Sequence, residues 1–158
     1  MRESEYQNVP CISLIQYDSG VNHGTFLHIA HEEGLIRNTS IHAGIRAPVV
    51  RPKGDVRNDL RCGFEMVKAR AIDRLGIAGI IDKLKSRVAG TKVYISVDID
   101  VLDPAFAPAT GTAEVGGWST RELLSILDGL EGLDVVGADV GTHFPSPVDL
   151  LVRALEAD

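Results

Sequence analysis

Asp98 and Asp100 are the residues of this chain best suited to chemistry, because they follow directly on an apolar, β-branched run from Val93 to Val97. Such a run is typical of a buried parallel strand, and it predicts that both carboxylates lie at the carboxyl end of that strand. Side chains at positions i and i+2 of a strand point to the same side, so we expect the two carboxylates to do so. Neighbouring carboxylates repel each other unless a cation lies between them, and oxygen ligands favour a divalent metal ion.

The elements that must position these carboxylates alternate between strands and helices. The apolar spacing and the turn residues predict helices at Phe26–Glu33, Asp73–Val88 and Ser119–Leu130, strands at Ser40–Ile45, Phe64–Lys68, Lys92–Asp98 and Asp134–Val140, and a short helix at Val148–Ala157. Glu122 is placed to complete a capping box with Ser119. The apolar residues of Asp134–Val140 predict a second buried strand. The alternation predicts an α/β fold with a mainly parallel sheet covered by helices. Ligands of such sheets bind beyond the carboxyl ends of the strands, where Asp98 and Asp100 are expected.

The composition is that of an ordinary globular domain and excludes several classes of function. The chain has 158 residues, of which 44% are hydrophobic and 24% charged, and its formal net charge is −6. The acidic balance argues against a nucleic-acid-binding surface and agrees with a cationic small substrate. No apolar run approaches the roughly 20 residues that span a bilayer, and no signal peptide is evident, so we expect a cytoplasmic protein without a membrane anchor. Cys11 and Cys62 are interpreted as ordinary thiols.

The Asp-x-Asp pattern alone leaves three interpretations open. The first is a metal site. In the second, Asp98 is the nucleophile and Asp100 the acid of a phosphatase that uses an aspartate at a strand end. In the third, the carboxylates only cap turns in a solvated loop. A calcium-binding helix–loop–helix is excluded, because Leu102, Asp103 and Ala109 occupy positions that require an acid, a glycine and a glutamate.

A longer pattern distinguishes between these interpretations. It comprises Ser96-x-Asp98-x-Asp100-x-x-Asp103-Pro104, then Pro108-Ala109 and Gly116-Gly117. It resembles the signature of the ureohydrolase family, which contains arginases, agmatinases and guanidinobutyrases. Four further segments resemble the agmatinase branch: Asn22–Phe26, Glu32–Ile36, Ser40–Arg46 and Gly117–Leu124. The resemblance extends from about residue 21 to residue 140, whereas residues 141–158 form a divergent tail.

The resemblance implies an enzyme with two Mn²⁺ ions that hydrolyses a guanidino compound, such as agmatine, to urea and an amine, such as putrescine. By the family pattern, Asp98 bridges both metal ions and Asp100 binds one of them. Asp103 orients the ligands or caps the loop, and His23 transfers a proton. The implied fold has three layers, with helices on both faces of the sheet. The implied partners are a small guanidino substrate and further copies of the chain, since relatives assemble into trimers or hexamers.

Two departures from the family pattern limit this expectation. The family places further metal ligands, including an Asp-x-His-x-Asp element, before the segment that contains His23. The residues that precede His23 contain no histidine and a single aspartate, Asp18. Gly141 and Thr142 stand where the family has a glutamate that holds the guanidinium. We therefore expect one partial arginase-like domain over residues 1–158 that shows no activity alone, and a non-catalytic binding protein of the same fold remains the alternative.

Overall fold

The computed structural model describes residues 26–46, 60–110, 113–141 and 150–155, and these are the residues meant by the described part of the chain. They form three helices and five strands: α1 (Phe26–Glu32), β1 (Ile41–Ile45), β2 (Glu65–Lys68), α2 (Ile72–Arg87), β3 (Lys92–Asp98), α3 (Thr120–Gly129), β4 (Asp134–Gly141) and β5 (Leu150–Leu155). Short 3-10 turns at Ala69–Ala71 and Ile99–Val101 follow β2 and β3. The predicted strands and the three long helices are confirmed to within one or two residues at each end.

The five strands form one sheet in the order β2-β1-β5-β3-β4. β1 pairs in parallel with β2, and β3 pairs in parallel with β4. β5 is antiparallel to both β1 and β3, so β1 and β3 run in the same direction. The carboxyl ends of β1, β2, β3 and β4 therefore lie at the same end of the sheet. The predicted α/β class with a mainly parallel sheet is confirmed.

The helix predicted at Val148–Ala157 is wrong, because Leu150–Leu155 forms β5. This strand lies between β1 and β3, and its backbone pairs with Ile41–Ala43 on one side and Lys92–Val97 on the other. Leu, Arg and Ala have high helix propensities, but differences in propensity amount to less than about 1 kcal/mol per residue, whereas two flanking strands satisfy the backbone hydrogen bonds of a strand on both edges. Tertiary pairing therefore overrides the local preference.

The core lies between the sheet and helices α2 and α3. Ile80 and Leu84 of α2, Ile126 of α3, and Val93 and Val97 of β3 belong to one cluster of buried side chains. Each fully buried aliphatic side chain contributes about 1.5–3 kcal/mol. The capping box predicted for α3 is present, since the Ser119 side chain accepts from the Glu122 amide and the Glu122 side chain accepts from the Ser119 amide.

Helix α2 changes direction at Gly76, where φ is +66° and ψ is 173°. This backbone conformation strongly favours glycine and interrupts the helical geometry. The carboxyl end of the helix is tied to the segment after α3, because Lys85 Nζ donates to the Glu131 carbonyl at 2.7 Å.

Strand β4 differs from the prediction that it is buried. Val136 and Val140 are 52% and 64% exposed, and β4 forms one edge of the sheet. The prediction was wrong because an apolar strand pattern shows only that a strand suits a buried position. None of the helices in the described ranges has the length and apolarity needed to cross a membrane.

Candidate metal centre

The candidate site begins where β3 ends. Asp98 is the last residue of β3, and Asp100 lies in the 3-10 turn Ile99–Val101 that follows. The expectation that strand alternation aligns the two side chains is therefore wrong, because the chain leaves the extended conformation after Asp98. A capping contact relates them instead: the Asp100 amide donates to Asp98 Oδ1 at 3.0 Å. The two carboxylates thus belong to one compact turn at the carboxyl end of β3, which is called the carboxylate turn below.

Asp100 is only 3% exposed, yet its Oδ1 atom has no hydrogen-bond partner within the described part of the chain. A buried carboxylate oxygen without a partner costs free energy, so such an atom in a native fold calls for a proton donor or a cation. An oxygen of this kind suits Mn²⁺ or Mg²⁺, and this atom is the structural observation that fits a metal ion. The described residues contain no cluster of three or more His, Cys, Asp or Glu side chains that could hold one.

Asp103 lies at the start of the loop that leads from this turn to Trp118. Its Oδ1 accepts from the Ala105 amide at 3.0 Å, and its Oδ2 accepts from the Gly116 amide at 2.7 Å. These backbone donors lower the pKa of the Asp103 carboxyl below its usual value. Asp103 thus joins the two ends of the loop and keeps its charge, and neither of these contacts involves Asp98 or Asp100.

The returning segment of the loop packs against the turn that carries Asp100. The Trp118 amide donates to the Val101 carbonyl at 3.0 Å, and the Asp103 amide donates to the Trp118 carbonyl at 2.9 Å. Only glycine fits at position 117, since a Cβ there would lie 2.5 Å from the Asp103 amide nitrogen. The Trp118 ring is almost fully buried, and its Nε1 donates to the Ala69 carbonyl after β2 at 3.1 Å.

Arg46 is the residue of this site that the sequence analysis missed. It follows β1 directly, and its guanidinium donates to three carbonyls: Asp100, Leu102 at 3.2 Å, and Glu114 at 2.6 Å. Burial lowers the pKa of Arg46 from its usual value, and the neighbouring carboxylates, of which Asp100 is the strongest, oppose that shift. Arg46 therefore places a positive charge beside the carboxylates and fixes both sides of the loop. Arg46 directly follows a strand whose carboxyl end lies at the same end of the sheet as the turn with Asp98 and Asp100, and this position could have indicated that Arg46 belongs to the site.

The remaining predicted site residue, His23, lies outside the described residues. His42 is buried in β1 and lies against the Phe64 ring with a centroid separation of 4.6 Å. Cys62 is a buried thiol. Neither residue belongs to the carboxylate turn.

The chain is similar in sequence to a family of known proteins. The model of the arginase family matches residues 14–147. The chain is 54% identical over 122 residues to the protein named "Putative agmatinase 3" of Schizosaccharomyces pombe, a match that covers 77% of this chain and 30% of that protein. It is 39% identical over 124 residues to the guanidinopropionase of Pseudomonas aeruginosa, covering 78% and 39% of the two chains.

Solved structures show the same likeness. A hypothetical agmatinase from Burkholderia thailandensis superposes with a TM-score of 0.69 at 34% identity, covering 91% of this chain and 41% of that one. The proclavaminate amidino hydrolase of Streptomyces clavuligerus superposes with a TM-score of 0.67 at 36% identity, covering 81% and 41%. The chain thus spans between 30% and 41% of the length of these four relatives.

Proposed function

Since the chain belongs to the arginase family, we propose that its carboxylate turn is part of a ureohydrolase active site that uses two Mn²⁺ ions. The observation that carries the proposal is Asp100 Oδ1, a buried oxygen for which no described residue provides a hydrogen-bond partner. Asp98 and Asp100 are the residues of this chain that would hold the metal ions. Two carboxylates provide only part of a coordination sphere, so the complete site requires ligands from outside the carboxylate turn.

The reaction that we propose is hydrolysis of a guanidino compound to urea and an amine. The chemistry that a bound metal pair supplies is a hydroxide nucleophile at neutral pH, which the weakly electrophilic guanidinium carbon requires. Asp103 and Arg46 hold the loop that follows Asp98 and Asp100 through hydrogen bonds to its backbone. His23 is proposed to transfer a proton to the departing amine, a role that suits the near-neutral pKa of histidine.

The names of the relatives support a substrate with a guanidino group. They include agmatinases, a guanidinopropionase and an amidino hydrolase, which are names for enzymes that act on different guanidino compounds. Agmatine is the substrate that we propose to test first, because agmatinases predominate among the named relatives. The comparisons do not favour the aspartate-nucleophile phosphatase.

Urea release from agmatine tests the proposal. With Mn²⁺ added, the 158-residue chain alone is expected to release no urea above the buffer background, because its two carboxylates leave most coordination positions to water. When a polypeptide that carries the remaining metal ligands is supplied, Mn²⁺-dependent urea release is expected, and Asp98→Asn should abolish it. Urea release that the Asp98→Asn variant retains would contradict the assignment of this residue.

A further inference from the structure

A cavity of about 440 Å³ lies beside the end of β2 and the start of α2. All of the residues that line it lie within 66–83, so the cavity is complete within one strand–turn–helix unit. Small-molecule sites commonly have volumes of about 300–1,000 Å³, which makes this cavity large enough for a metabolite. It adjoins the edge strand β2, whereas the carboxylate turn follows β3, and β1 and β5 lie between these two strands.

The charged side chains that line the cavity are all cationic. They belong to Lys68, Arg70, Arg74 and Lys83, and no aspartate or glutamate lines the cavity. Lys83 is neutralised by an ion pair, since its Nζ lies 3.1 Å from Glu65 Oε1. The other three cations are exposed and form no ion pair within the described part of the chain. A concave surface with one sign of charge concentrates ions of the opposite sign, so this cavity attracts anions although the net charge of the chain is −6.

The cations without an acidic partner and the apolar part of the wall indicate the class of anion. A phosphate monoester carries about −1.5 to −2 charges at pH 7, so roughly two phosphate groups balance three cations. An arginine guanidinium binds phosphate oxygens through two parallel hydrogen bonds, and Arg70 and Arg74 provide two such groups. Met66, Val67 and Leu75 form an apolar part of the wall, against which the uncharged part of a small molecule can pack.

We propose that this cavity, which is separate from the candidate metal centre, binds a small molecule that carries a diphosphate group. An acidic peptide that adds a strand to the edge of the sheet would meet the same cations. The structure favours the small molecule, because β2 has only four residues and begins and ends with the charged residues Glu65 and Lys68. Short length and charged side chains protect an edge strand from pairing with another strand.

The turn after β2 connects the cavity to the only tryptophan of the chain. Trp118 Nε1 donates to the Ala69 carbonyl at 3.1 Å. Ala69 lies between Lys68 and Arg70, which are two of the cations that line the cavity. A diphosphate that binds both of these side chains would shift the turn between them and, through the Ala69 carbonyl, the environment of the indole. The intrinsic fluorescence of Trp118 should therefore respond to binding.

Isothermal titration calorimetry with inorganic pyrophosphate tests the proposal. The full 158-residue chain is titrated in metal-free buffer at constant ionic strength, so that metal binding and screening by salt do not contribute to the differences. We expect saturable binding that is at least tenfold tighter for pyrophosphate than for inorganic phosphate. Arg70→Met and Arg74→Met should each weaken it at least tenfold. The matched control is Arg121→Met, which removes an exposed arginine of α3 outside the cavity and should leave the affinity unchanged.

Fluorescence and circular dichroism complete the test. The emission of Trp118 should change with the same midpoint as the calorimetric titration, and circular dichroism would verify that the variants retain the fold. Constant emission during a titration that saturates in the calorimeter would place the anion elsewhere and would overturn the proposal.

Three further outcomes would also overturn it. The first is the absence of binding, and the second is an affinity for pyrophosphate that Arg70→Met and Arg74→Met retain or that inorganic phosphate equals. The third is tighter binding of an oligoglutamate peptide than of pyrophosphate, which would identify an acidic peptide as the occupant. The titration contains no metal ion and no guanidino compound, so this proposal and the proposed function fail on different measurements.

Discussion

Replacing Arg46 tests whether one guanidinium holds the carboxylate turn in place. Arg46→Met keeps the length of the side chain but removes the charge and all three hydrogen bonds to the loop carbonyls of Asp100, Leu102 and Glu114. Arg46→Lys keeps the charge but presents a compact ammonium instead of a planar fork, so it cannot reach three carbonyls at once. The pair of variants separates the contribution of the charge from that of the geometry.

The size of the effect follows from the number of hydrogen bonds. A hydrogen bond from a charged donor contributes about 1.5–3 kcal/mol when desolvated, and about 1 kcal/mol is the appropriate value for a half-buried side chain such as Arg46. Arg46→Met should therefore lower the free energy of unfolding by about 3 kcal/mol, and Arg46→Lys by about 2 kcal/mol. In a domain of this size, 1 kcal/mol corresponds to roughly 2–4 °C in Tm, which gives a decrease of about 6–12 °C for Arg46→Met.

Thermal unfolding at pH 7, followed by far-UV circular dichroism, measures both values. The control is Arg121→Met, which removes an exposed arginine on α3 and should change stability by no more than about 0.5 kcal/mol. A Tm for Arg46→Met equal to that of Arg121→Met would refute the claim that Arg46 holds the loop. A Tm for Arg46→Lys equal to that of wild type would show that the charge alone matters and would refute the argument from the planar fork.

Three further substitutions probe the same loop. Gly117→Ala should lower the free energy of unfolding by about 2–4 kcal/mol, because a Cβ 2.5 Å from the Asp103 nitrogen forces two backbone segments apart. The control is Gly141→Ala, whose Cβ meets only an ordinary contact at 3.9 Å. Similar midpoints of urea-induced unfolding for the two variants would contradict this. Trp118→Phe should cost about 1–3 kcal/mol, because it removes the indole hydrogen bond to the Ala69 carbonyl and leaves unfilled space at a buried side chain; an unfolding free energy equal to that of the wild type in chemical denaturation would contradict this. The lowered pKa of Asp103 predicts a contribution to folding stability that is present above about pH 4, the usual pKa of an unfolded aspartate, and is lost as the pH falls through the pKa of the folded state. Asp103→Asn should therefore flatten the curve of Tm against pH in that range. An unchanged curve would contradict the claim that the Asp103 carboxylate holds the loop.

Local patterns were sufficient to predict most of the elements and the placement of Asp98 and Asp100 at the end of β3. The apolar, β-branched run before Asp98 predicted both ends of β3, in which Val93, Ile95 and Val97 are buried. Ser119 and Glu122 predicted the start of α3, because a capping box depends only on residues three positions apart. The sequence pattern also located both carboxylates at the strand end, although not the 3-10 turn that orients Asp100.

Long-range contacts account for what the sequence could not predict. Arg46 donates to the Asp100 carbonyl, which is 54 positions away, and the residues near Arg46 do not show which loop its side chain contacts. The strand at Leu150–Leu155 depends on two partners that are distant in the sequence, so its own residues favoured the wrong element. The exposure of β4 depends on whether another part of the fold lies beside it, whereas its sequence shows only that it suits a buried position.

The most direct test of the central claim is to measure Mn²⁺ binding and urea production on the same purified sample of the 158-residue chain. Electron paramagnetic resonance would follow free Mn²⁺ during a titration of the wild type, Asp100→Asn and the control Asp128→Asn, which alters an exposed aspartate on α3. We predict weak binding by the wild type, at least tenfold weaker binding by Asp100→Asn, an unchanged affinity for Asp128→Asn and no urea from agmatine. Equal Mn²⁺ affinity of the wild type and Asp100→Asn would contradict the claim that this turn binds the metal.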